Sequence, residues 1–290
     1  MYSLTQAATY PLPSSNSNSN QQQQQAYVLD IARTPVSRLA AISSDQALTL
    51  LDPATLRAVG TFGTEHGNLT ALGVFGGGGS SGVGEVVCTA GENGSVAIWD
   101  LRAGRKVSQF QGTSAPILSM TCSAALQTIT VGTELHDHAA SIAVHDVRSP
   151  GNPNPLRAFA DFHSDDVTTL SHHPSEPSLL LSGSTDGLVS VHDLRVADED
   201  EVTLQTLNLG ASVHHAAFLG GSQRATSSIP VAALSHDERF AVYDVAENRS
   251  SGDAVADFGD LRASVGCRYV CDVVPKADGT GAILGAGAQE

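Results

Sequence analysis

Short runs in which apolar and polar residues alternate recur along the chain, separated by turn-forming residues. The clearest of these runs appears as QALTLLD, SVAIWDLR, SIAVHDVR, LVSVHDLR and RFAVYDVA. A period of two residues is the pattern of a β-strand, because successive side chains point to opposite faces. The pattern therefore predicts a chain built mainly from short strands.

The same runs are evenly spaced, which indicates an internal repeat. Successive copies lie 46 to 51 residues apart, with their aspartates at Asp52, Asp100, Asp146, Asp193 and Asp244. Further short β-rich runs lie before and after each copy, and turns such as Asn93-Gly94 and Asp186-Gly187 suit tight hairpins because these residues tolerate positive φ. Four strands in each unit are typical of the blade of a β-propeller.

The repeat unit resembles the WD repeat, with Trp99-Asp100 as one full copy of its signature dipeptide. The other copies hold different residues at the Trp position, namely Leu51, His145, His192 and Tyr243. The segments DFHSDDVTTLSHHPSEPSLLLSGSTDGLVSVHDLR, ADEDE, ALSHDERFAVYDV and GDLRASVGCRYVCDVVP are more narrowly similar to the WD repeat-containing protein 89 family. The resemblance covers residues 26–290 and implies an all-β, WD-repeat β-propeller.

The repeat count predicts five complete units and a partial sixth. The sixth unit begins near Cys267 and contains a strand at Ala282-Ile-Leu-Gly285, but the run ending in Asp does not recur before Glu290. We therefore expect residues 26–290 to form a propeller that is incomplete at its C-terminus, as a fragment of a seven-bladed ring. Residues 1–25 carry no charge and include the tract SSNSNSNQQQQQ, which predicts a disordered tail.

Composition narrows the classes of partner. The 290 residues include 30 Asp and Glu against 15 Lys and Arg, a formal net charge of −15. Such a surplus repels phosphate backbones and anionic lipids, so we expect no nucleic-acid partner and no membrane partner. The N-terminus lacks the pattern of a secretory signal. Four scattered cysteines fit a reducing compartment, which predicts a cytoplasmic or nuclear location.

Histidine and cysteine pairs suggest a metal site, but their spacing argues against one. His136 and His138 flank an aspartate in a predicted turn, and His172 and His173 are neighbours on a predicted strand, so their side chains point to opposite faces. Four residues along a strand span about 13 Å, so the Cys267 and Cys271 pair cannot easily hold one ion. We expect no metal site and no cofactor.

A further motif has the form of a catalytic one. Gly78-Gly-Ser-Ser-Gly82 matches Gly-x-Ser-x-Gly but lies inside the glycine-rich insert Gly76–Gly84. A nucleophile elbow needs a strand before it and a helix after it. We therefore predict no catalytic residues.

The resemblance to WD repeats implies a structural role for several polar residues. In that family a His, a Ser or Thr, an Asp and the Trp form a buried hydrogen-bond network. One set in this chain is His66, Thr89, Asn93 and Trp99, and a second is His163, Ser182, Asp186 and His192.

Residues 161–201 contain ten Asp and Glu and one base, Arg195, and so account for −9 of the net charge. This surface either attracts a basic protein partner or only keeps the surface solvated. The candidate partner-binding acids are Asp165, Asp166, Asp198, Glu199, Asp200 and Glu201.

Three repeat units end in Asp-x-Arg, with the arginines at Arg102, Arg148 and Arg195. This feature resembles the WD-x-Arg motif of substrate receptors for cullin-RING ubiquitin ligases, in which the Arg contacts an adaptor. The planar fork of donors on arginine suits such recognition.

The sequence thus predicts a non-catalytic scaffold for protein–protein interaction. Two alternatives stay open. One is a ubiquitin-ligase substrate receptor, and the other is a hydrolase or metal-dependent enzyme of the propeller type.

Overall fold

The structure is a computed structural model that describes residues 8–11, 26–35, 37–75, 86–149, 152, 154–220, 229–245, 252–276 and 281–288. Most of the predicted tail lies outside them, and so does the glycine-rich insert with its Gly-x-Ser-x-Gly match.

Five four-stranded antiparallel sheets and one two-stranded sheet follow one another along the described part of the chain. Sheet 1 contains β1 (Val28–Arg33), β2 (Leu39–Ser43), β3 (Ala47–Leu51) and β4 (Ala58–Gly63). Sheet 2 contains β5 (Leu69–Val74), β6 (Val86–Gly91), β7 (Ser95–Asp100) and β8 (Arg105–Gln111). Sheet 3 contains β9 (Ile117–Ser123), β10 (Thr128–Thr133), β11 (Ile142–Asp146) and β12 (Arg157–Phe159).

The remaining sheets follow the same order. Sheet 4 contains β13 (Val167–His172), β14 (Leu179–Ser184), β15 (Leu188–Asp193) and β16 (Thr203–Asn208). Sheet 5 contains β17 (Val213–Phe218), β18 (Ile229–Ser235), β19 (Arg239–Val245) and β20 (Ala256–Asp260). A short helix, α1 (Leu261–Val265), leads into sheet 6, which contains β21 (Tyr269–Pro275) and β22 (Ala282–Gly287). The predicted succession of five complete units and a partial sixth is confirmed.

The chain divides into two compact units, which we describe separately. The first comprises residues 1–117 and 148–153 and contains sheets 1 and 2. Its core joins side chains of both sheets, including Ile42, Leu50, Val87 and Trp99. The second comprises residues 118–147 and 154–290, and its cores lie between sheets 3 and 4 and between sheets 4 and 5. In the described residues, no helix is long and apolar enough to cross a membrane.

The middle strands of the sheets are buried on both faces. Every residue of β3 and β14 is buried, whereas the fourth strands β4 and β16 are largely exposed. The polar positions of the alternating sequence pattern are therefore buried as well, as Thr89 and Ser182 show. A buried hydroxyl needs a hydrogen-bond partner, because an unpaired one costs about 1–3 kcal/mol. This requirement shapes the candidate sites described below.

Hydroxyl groups on the first strands join successive sheets of the second unit. In the second unit, Ser119 Oγ donates to the carbonyl of Val167 and Thr168 Oγ1 donates to the carbonyl of Val213, both at 2.7 Å. Each bond satisfies a side chain and a backbone acceptor at once, and so it helps to fix the packing of neighbouring strands.

Glycine allows close packing at the same junctions. A Cβ added to Gly183 would lie 2.7 Å from Thr169 Cγ2 and 2.9 Å from Val213 Cγ1. Both distances are shorter than real contacts allow, so Gly183 lets the first strand of sheet 5 approach sheet 4. A side chain at this position would force the two strands apart.

We predict that Gly183→Ala lowers the free energy of unfolding by about 1–3 kcal/mol, because the new methyl group overpacks this junction. Gly63→Ala is the control, since a Cβ there meets nothing within 4 Å, and we expect it to change stability by less than about 0.5 kcal/mol. Urea unfolding measures both variants. Equal urea midpoints for the two variants would contradict the role of Gly183 in close packing.

Candidate functional site

In sheet 2, a chain of buried hydrogen bonds crosses from the Trp of β7 to the turn that precedes it. Trp99 Nε1 donates to Thr89 Oγ1 at 2.8 Å, and Thr89 Oγ1 lies 2.9 Å from His66 Nε2. His66 Nδ1 lies 2.9 Å from Ser95 Oγ, which donates to Asn93 Oδ1 at 2.8 Å. The structure thus places Ser95, which the sequence pattern did not single out, between His66 and Asn93.

Sheet 4 contains a related chain in which histidine replaces tryptophan. His163 Nδ1 lies 3.1 Å from Asp186 Oδ2, and His163 Nε2 lies 2.8 Å from Ser182 Oγ. Ser182 Oγ lies 2.9 Å from His192 Nε2, and His192 Nδ1 lies 2.9 Å from Thr203 Oγ1. The four predicted residues are therefore in contact, and Thr203 extends the chain to the outermost strand, β16.

Neutral imidazoles give both chains the same direction of hydrogen bonding. In sheet 4, the Thr203 hydroxyl donates to His192, whose Nε2–H donates to Ser182, just as the Trp99 indole N–H donates to Thr89. His192 reproduces the donor of a tryptophan, because one ring nitrogen carries a proton while the other accepts. Its second ring nitrogen also accepts a hydrogen bond from Thr203, and an indole ring has no acceptor for such a bond.

Burial keeps His192 neutral. Desolvation, with a smaller contribution from the neighbouring His163, lowers the pKa of His192 from 6.5 to about 3. For Asp186, burial raises the pKa, but hydrogen bonds from His163, Leu188 N and Ser164 N outweigh it and leave the pKa below its ordinary value. The sheet 4 network therefore joins an ionised carboxylate to a buried neutral imidazole.

The remaining units fill the Trp position in other ways. Leu51 is buried in sheet 1, and His145 is buried in sheet 3. In sheet 5, Tyr243 donates its hydroxyl to the carbonyl of Asn208 at 2.9 Å, so it ties sheet 5 to sheet 4. Burial raises the pKa of Tyr243 to about 12, which keeps the hydroxyl a donor.

An acidic cavity of about 560 Å³ lies beside this network in the second unit. Its carboxylates come from two segments, the loop between β15 and β16 and the residues before β13, and they are Asp161, Asp198, Glu199 and Asp200. Phe162, Ser190, Thr203 and Thr206 line the rest, and no Lys or Arg of the described chain does. A concave, hydroxyl-lined and negatively charged site suits a cationic group.

The other predicted acids lie elsewhere in the second unit. Asp166 Oδ1 accepts the backbone N–H of Leu135 at 2.7 Å, and Asp165 Oδ1 accepts the N–H of Asp166. Neither residue lines the cavity, and Glu201 does not line it either. Asp161 and Phe162 were missed as site residues because their role depends on which loop folds over them, which the strand pattern does not determine.

The Asp-x-Arg motifs are turns at the ends of strands. Arg195 forks onto the carboxylate of Asp193, with Nη2 2.7 Å from Oδ2 and Nε 2.9 Å from Oδ1, and this hydrogen bonding lowers the pKa of Asp193. The backbone N–H of Arg102 donates to Asp100 Oδ1 at 2.9 Å, and the Arg102 side chain is exposed. Arg148 is also exposed, where β11 ends.

A fourth copy of this motif, Asp260-Leu-Arg262, was missed by the sequence analysis. Arg262 Nη2 lies 2.7 Å from Asp260 Oδ2, in the same forked arrangement as at Asp193, and Asp260 caps α1. Its signal was present in the letters GDLR, but it does not follow the alternating run that defined the other copies. The repeated geometry indicates that aspartate in this motif serves first as the partner of its own arginine.

The histidine pairs make local contacts. His172 Nδ1 lies 2.8 Å from the carbonyl of Pro177, and His173 Nδ1 accepts the N–H of Glu176. His136 and His138 lie in a turn. Across the described part of the chain, no group of three or more His, Cys, Asp or Glu side chains is arranged to hold a metal ion.

Comparison with known proteins identifies the class. The model of the WD domain, G-beta repeat, matches residues 154–193, which include most of sheet 4 and its buried network. A chain in a crystal structure of the mitotic checkpoint complex has a TM-score of 0.60 over 80% of this chain and 64% of its own, at 14% identity. The chain is therefore a WD-repeat protein with the β-propeller fold.

Three relatives with similar sequences are also WD repeat-containing proteins. It is 33% identical over 190 residues to an uncharacterized WD repeat-containing protein of Saccharomyces cerevisiae and 34% identical over 203 residues to one of Schizosaccharomyces pombe. These matches cover 64% and 66% of this chain but 46% and 58% of the relatives. A WD repeat-containing protein 89 homolog of Dictyostelium discoideum is 25% identical over 85% of this chain and 62% of its own length. The chain spans about half the length of the first two relatives.

We predict that acid destabilises the protein through His192. Below pH 6.5 the unfolded chain binds a proton at this position that the folded protein does not bind until about pH 3, so acidification favours unfolding over this range. Between pH 6.5 and 5, wild type should lose about 2 kcal/mol more stability than His192→Trp.

Urea unfolding at several pH values measures this difference. His192→Gln serves as a second variant, because its side chain is no larger than that of histidine. The measured quantity is the change in the free energy of unfolding with pH, since a change in stability caused by packing alone is independent of pH. Identical pH dependence in wild type and both variants would contradict the prediction.

Proposed function

We propose that this WD-repeat protein is a non-catalytic scaffold that binds another protein, and that the acidic cavity of sheet 4 receives a basic segment of that partner. The observation that carries the proposal is the cavity itself, which four acidic residues line and no basic residue of the described chain does. Complementary charge accelerates association and disfavours wrong partners.

The chemistry of the cavity supports a cationic ligand over an anionic one. Asp198 Oδ1 accepts the N–H of Asp200, so the loop holds its carboxylates in one turn. Thr203 donates its hydroxyl to His192, which leaves its oxygen lone pairs as acceptors. Carboxylates and such oxygens accept hydrogen bonds from lysine or arginine, and they repel phosphate.

The scaffold role also agrees with the buried network. His163, Ser182, Asp186 and His192 resemble the parts of a proton relay, but three of these side chains are almost fully enclosed and satisfy one another. We interpret the network as structural. None of the four cysteines, all of which are described, forms a disulfide, and this supports a cytoplasmic or nuclear location as part of this proposal.

A ubiquitin-ligase substrate receptor is the alternative. An adaptor that reads Arg195 must first displace Asp193 from its guanidinium, whereas the exposed Arg102 needs no such exchange. The paired state of Arg195 therefore favours the plain scaffold over the receptor.

We predict that Asp198→Asn with Asp200→Asn raises the Kd of a fluorescent peptide, in which four lysines alternate with glycines, by about ten-fold, or about 1.4 kcal/mol. Fluorescence anisotropy at about 150 mM salt measures binding where long-range attraction is screened. The control, Glu134→Gln with Asp137→Asn, removes two charges from an exposed turn of sheet 3 and should change the Kd by less than about two-fold.

Two results would contradict the cavity as the binding site. One is equal weakening by both double variants, which would assign binding to net charge. The other is a wild-type protein that folds cooperatively and does not bind the peptide.

We also predict that a purified cullin adaptor binds neither the wild type nor the triple variant Arg102→Ala, Arg148→Ala, Arg195→Ala. Surface plasmon resonance measures both, with matching thermal melts as the folding control. Binding by the wild type that the triple variant loses would support the receptor and overturn the plain scaffold.

A further inference from the structure

We propose that Arg157, on the last strand of sheet 3, is the positioning residue of the acidic cavity. This inference rests on the proposed function and deepens it, because it explains what holds the carboxylates and the aromatic wall in place. Arg157 does not line the cavity and is therefore not itself a binding residue.

Arg157 holds the chain segment that leads into the acidic loop. Its Nη1 donates to the carbonyl of Leu194 at 3.0 Å and to that of Val196 at 2.6 Å, and its Nη2 donates to the carbonyl of Ala197 at 3.4 Å. These carbonyls immediately precede Asp198. A planar guanidinium with fixed donor directions can bind several carbonyls of one bend at once, which a lysine ammonium on a flexible stem does less well.

The same guanidinium begins a stacked column that ends at the buried network. It lies 4.6 Å from the centre of the Phe159 ring, and Phe159 stacks on Phe162 with ring centres 4.4 Å apart. Phe162 in turn stacks on His192 at 4.2 Å with an angle of 10° between the ring planes. Since Phe162 lines the cavity, the column fixes the orientation of its aromatic wall.

His192 links the column to the polar side of the cavity. Its Nδ1 accepts the hydroxyl of Thr203, which also lines the cavity. A cation–π contact and one ring stack thus connect Arg157 to the aromatic wall, while three carbonyl contacts connect it to the loop. One side chain constrains both boundaries of the site.

The charge of Arg157 is used in a way that leaves the site acidic. Among the described residues, the acceptors of its hydrogen bonds are three backbone carbonyls, so the arginine does not take the carboxylates of the cavity as its partners. Those carboxylates remain for a ligand. A charge pair between Arg157 and one of the loop acids would instead offset one of the four negative charges of the cavity.

The test compares Arg157→Lys, which keeps the charge without the planar fork, with Arg157→Met, which keeps only an unbranched stem. Arg239→Lys is the matched control, because Arg239 forms an ion pair with Asp257 on sheet 5. Two readouts are taken: hydrogen exchange of the backbone amides of residues 194–201, and the Kd of the alternating Lys-Gly peptide. All variants are measured at a temperature where each is folded.

We expect both Arg157 variants to speed exchange in residues 194–201 by about ten-fold or more while the amides of sheet 5 stay unchanged, since local opening is what the three carbonyl contacts prevent. We expect the peptide Kd of both variants to rise by about ten-fold, and its salt dependence to become shallower because fewer carboxylates act together. Arg239→Lys should change neither readout in this region.

The outcomes separate this inference from the proposed function. Arg157→Lys with wild-type exchange and wild-type Kd would overturn the positioning role, because charge alone would then suffice. Unchanged exchange in Arg157→Met would overturn it as well. A wild-type protein that binds no peptide would contradict the proposed function, and the exchange data would still decide whether Arg157 positions the loop.

Discussion

Polar side chains on strands buried on both faces impose the constraint on which the rest of this structure depends. In sheets 2 and 4 the middle strands carry groups that satisfy each other, because an unpaired buried hydroxyl or imidazole costs more than one bond contributes. Thr89 and Ser182 are fully buried, and each bonds both to a histidine before its sheet and to the side chain at the Trp position. The network therefore fixes the loop before the sheet to two strands of that sheet.

This constraint links the interior of sheet 4 to its surface. A tryptophan at position 192 would end the chain of hydrogen bonds at its single N–H. Histidine has a second ring nitrogen, so the chain continues to Thr203 on the outermost strand, and the flat ring also stacks on Phe162. Both of these neighbours line the acidic cavity. Replacement of the signature residue thus changes the outer surface as well as the core.

The sequence predicts the strands and their repetition well because both follow from local alternation. The run LVSVHDLR becomes β15, and the predicted turn at Asp186-Gly187 is a hairpin with Gly187 at φ 88°. The positions of the buried polar partners required knowledge of the repeat family as well as alternation. An alternation with a period of two residues shows which side of a sheet a residue faces. It does not show whether another sheet covers that side.

The parts that could not be predicted depend on contacts between segments that are distant in sequence. Ser95 enters the sheet 2 network because the Asn93 turn brings its hydroxyl to His66. The cavity forms because the loop at 198–200 folds over Asp161 and Phe162, nearly forty residues earlier. No periodic pattern encodes such a pairing. The acidic composition of residues 161–201 indicated a charged surface, but not which of its carboxylates share one space.

Charge at the surface of this protein is organised by the same rule of local satisfaction. Arg195 and Arg262 each fork onto the aspartate two residues earlier, although both arginines are exposed and such surface pairs contribute little stability. Because these two arginines are already paired, they do not neutralise other acids nearby. Arg157 directs its donors to backbone carbonyls with a similar result. Because the nearby Arg157 and Arg195 are bonded elsewhere, a cationic partner meets no competing base of the described chain in the cavity.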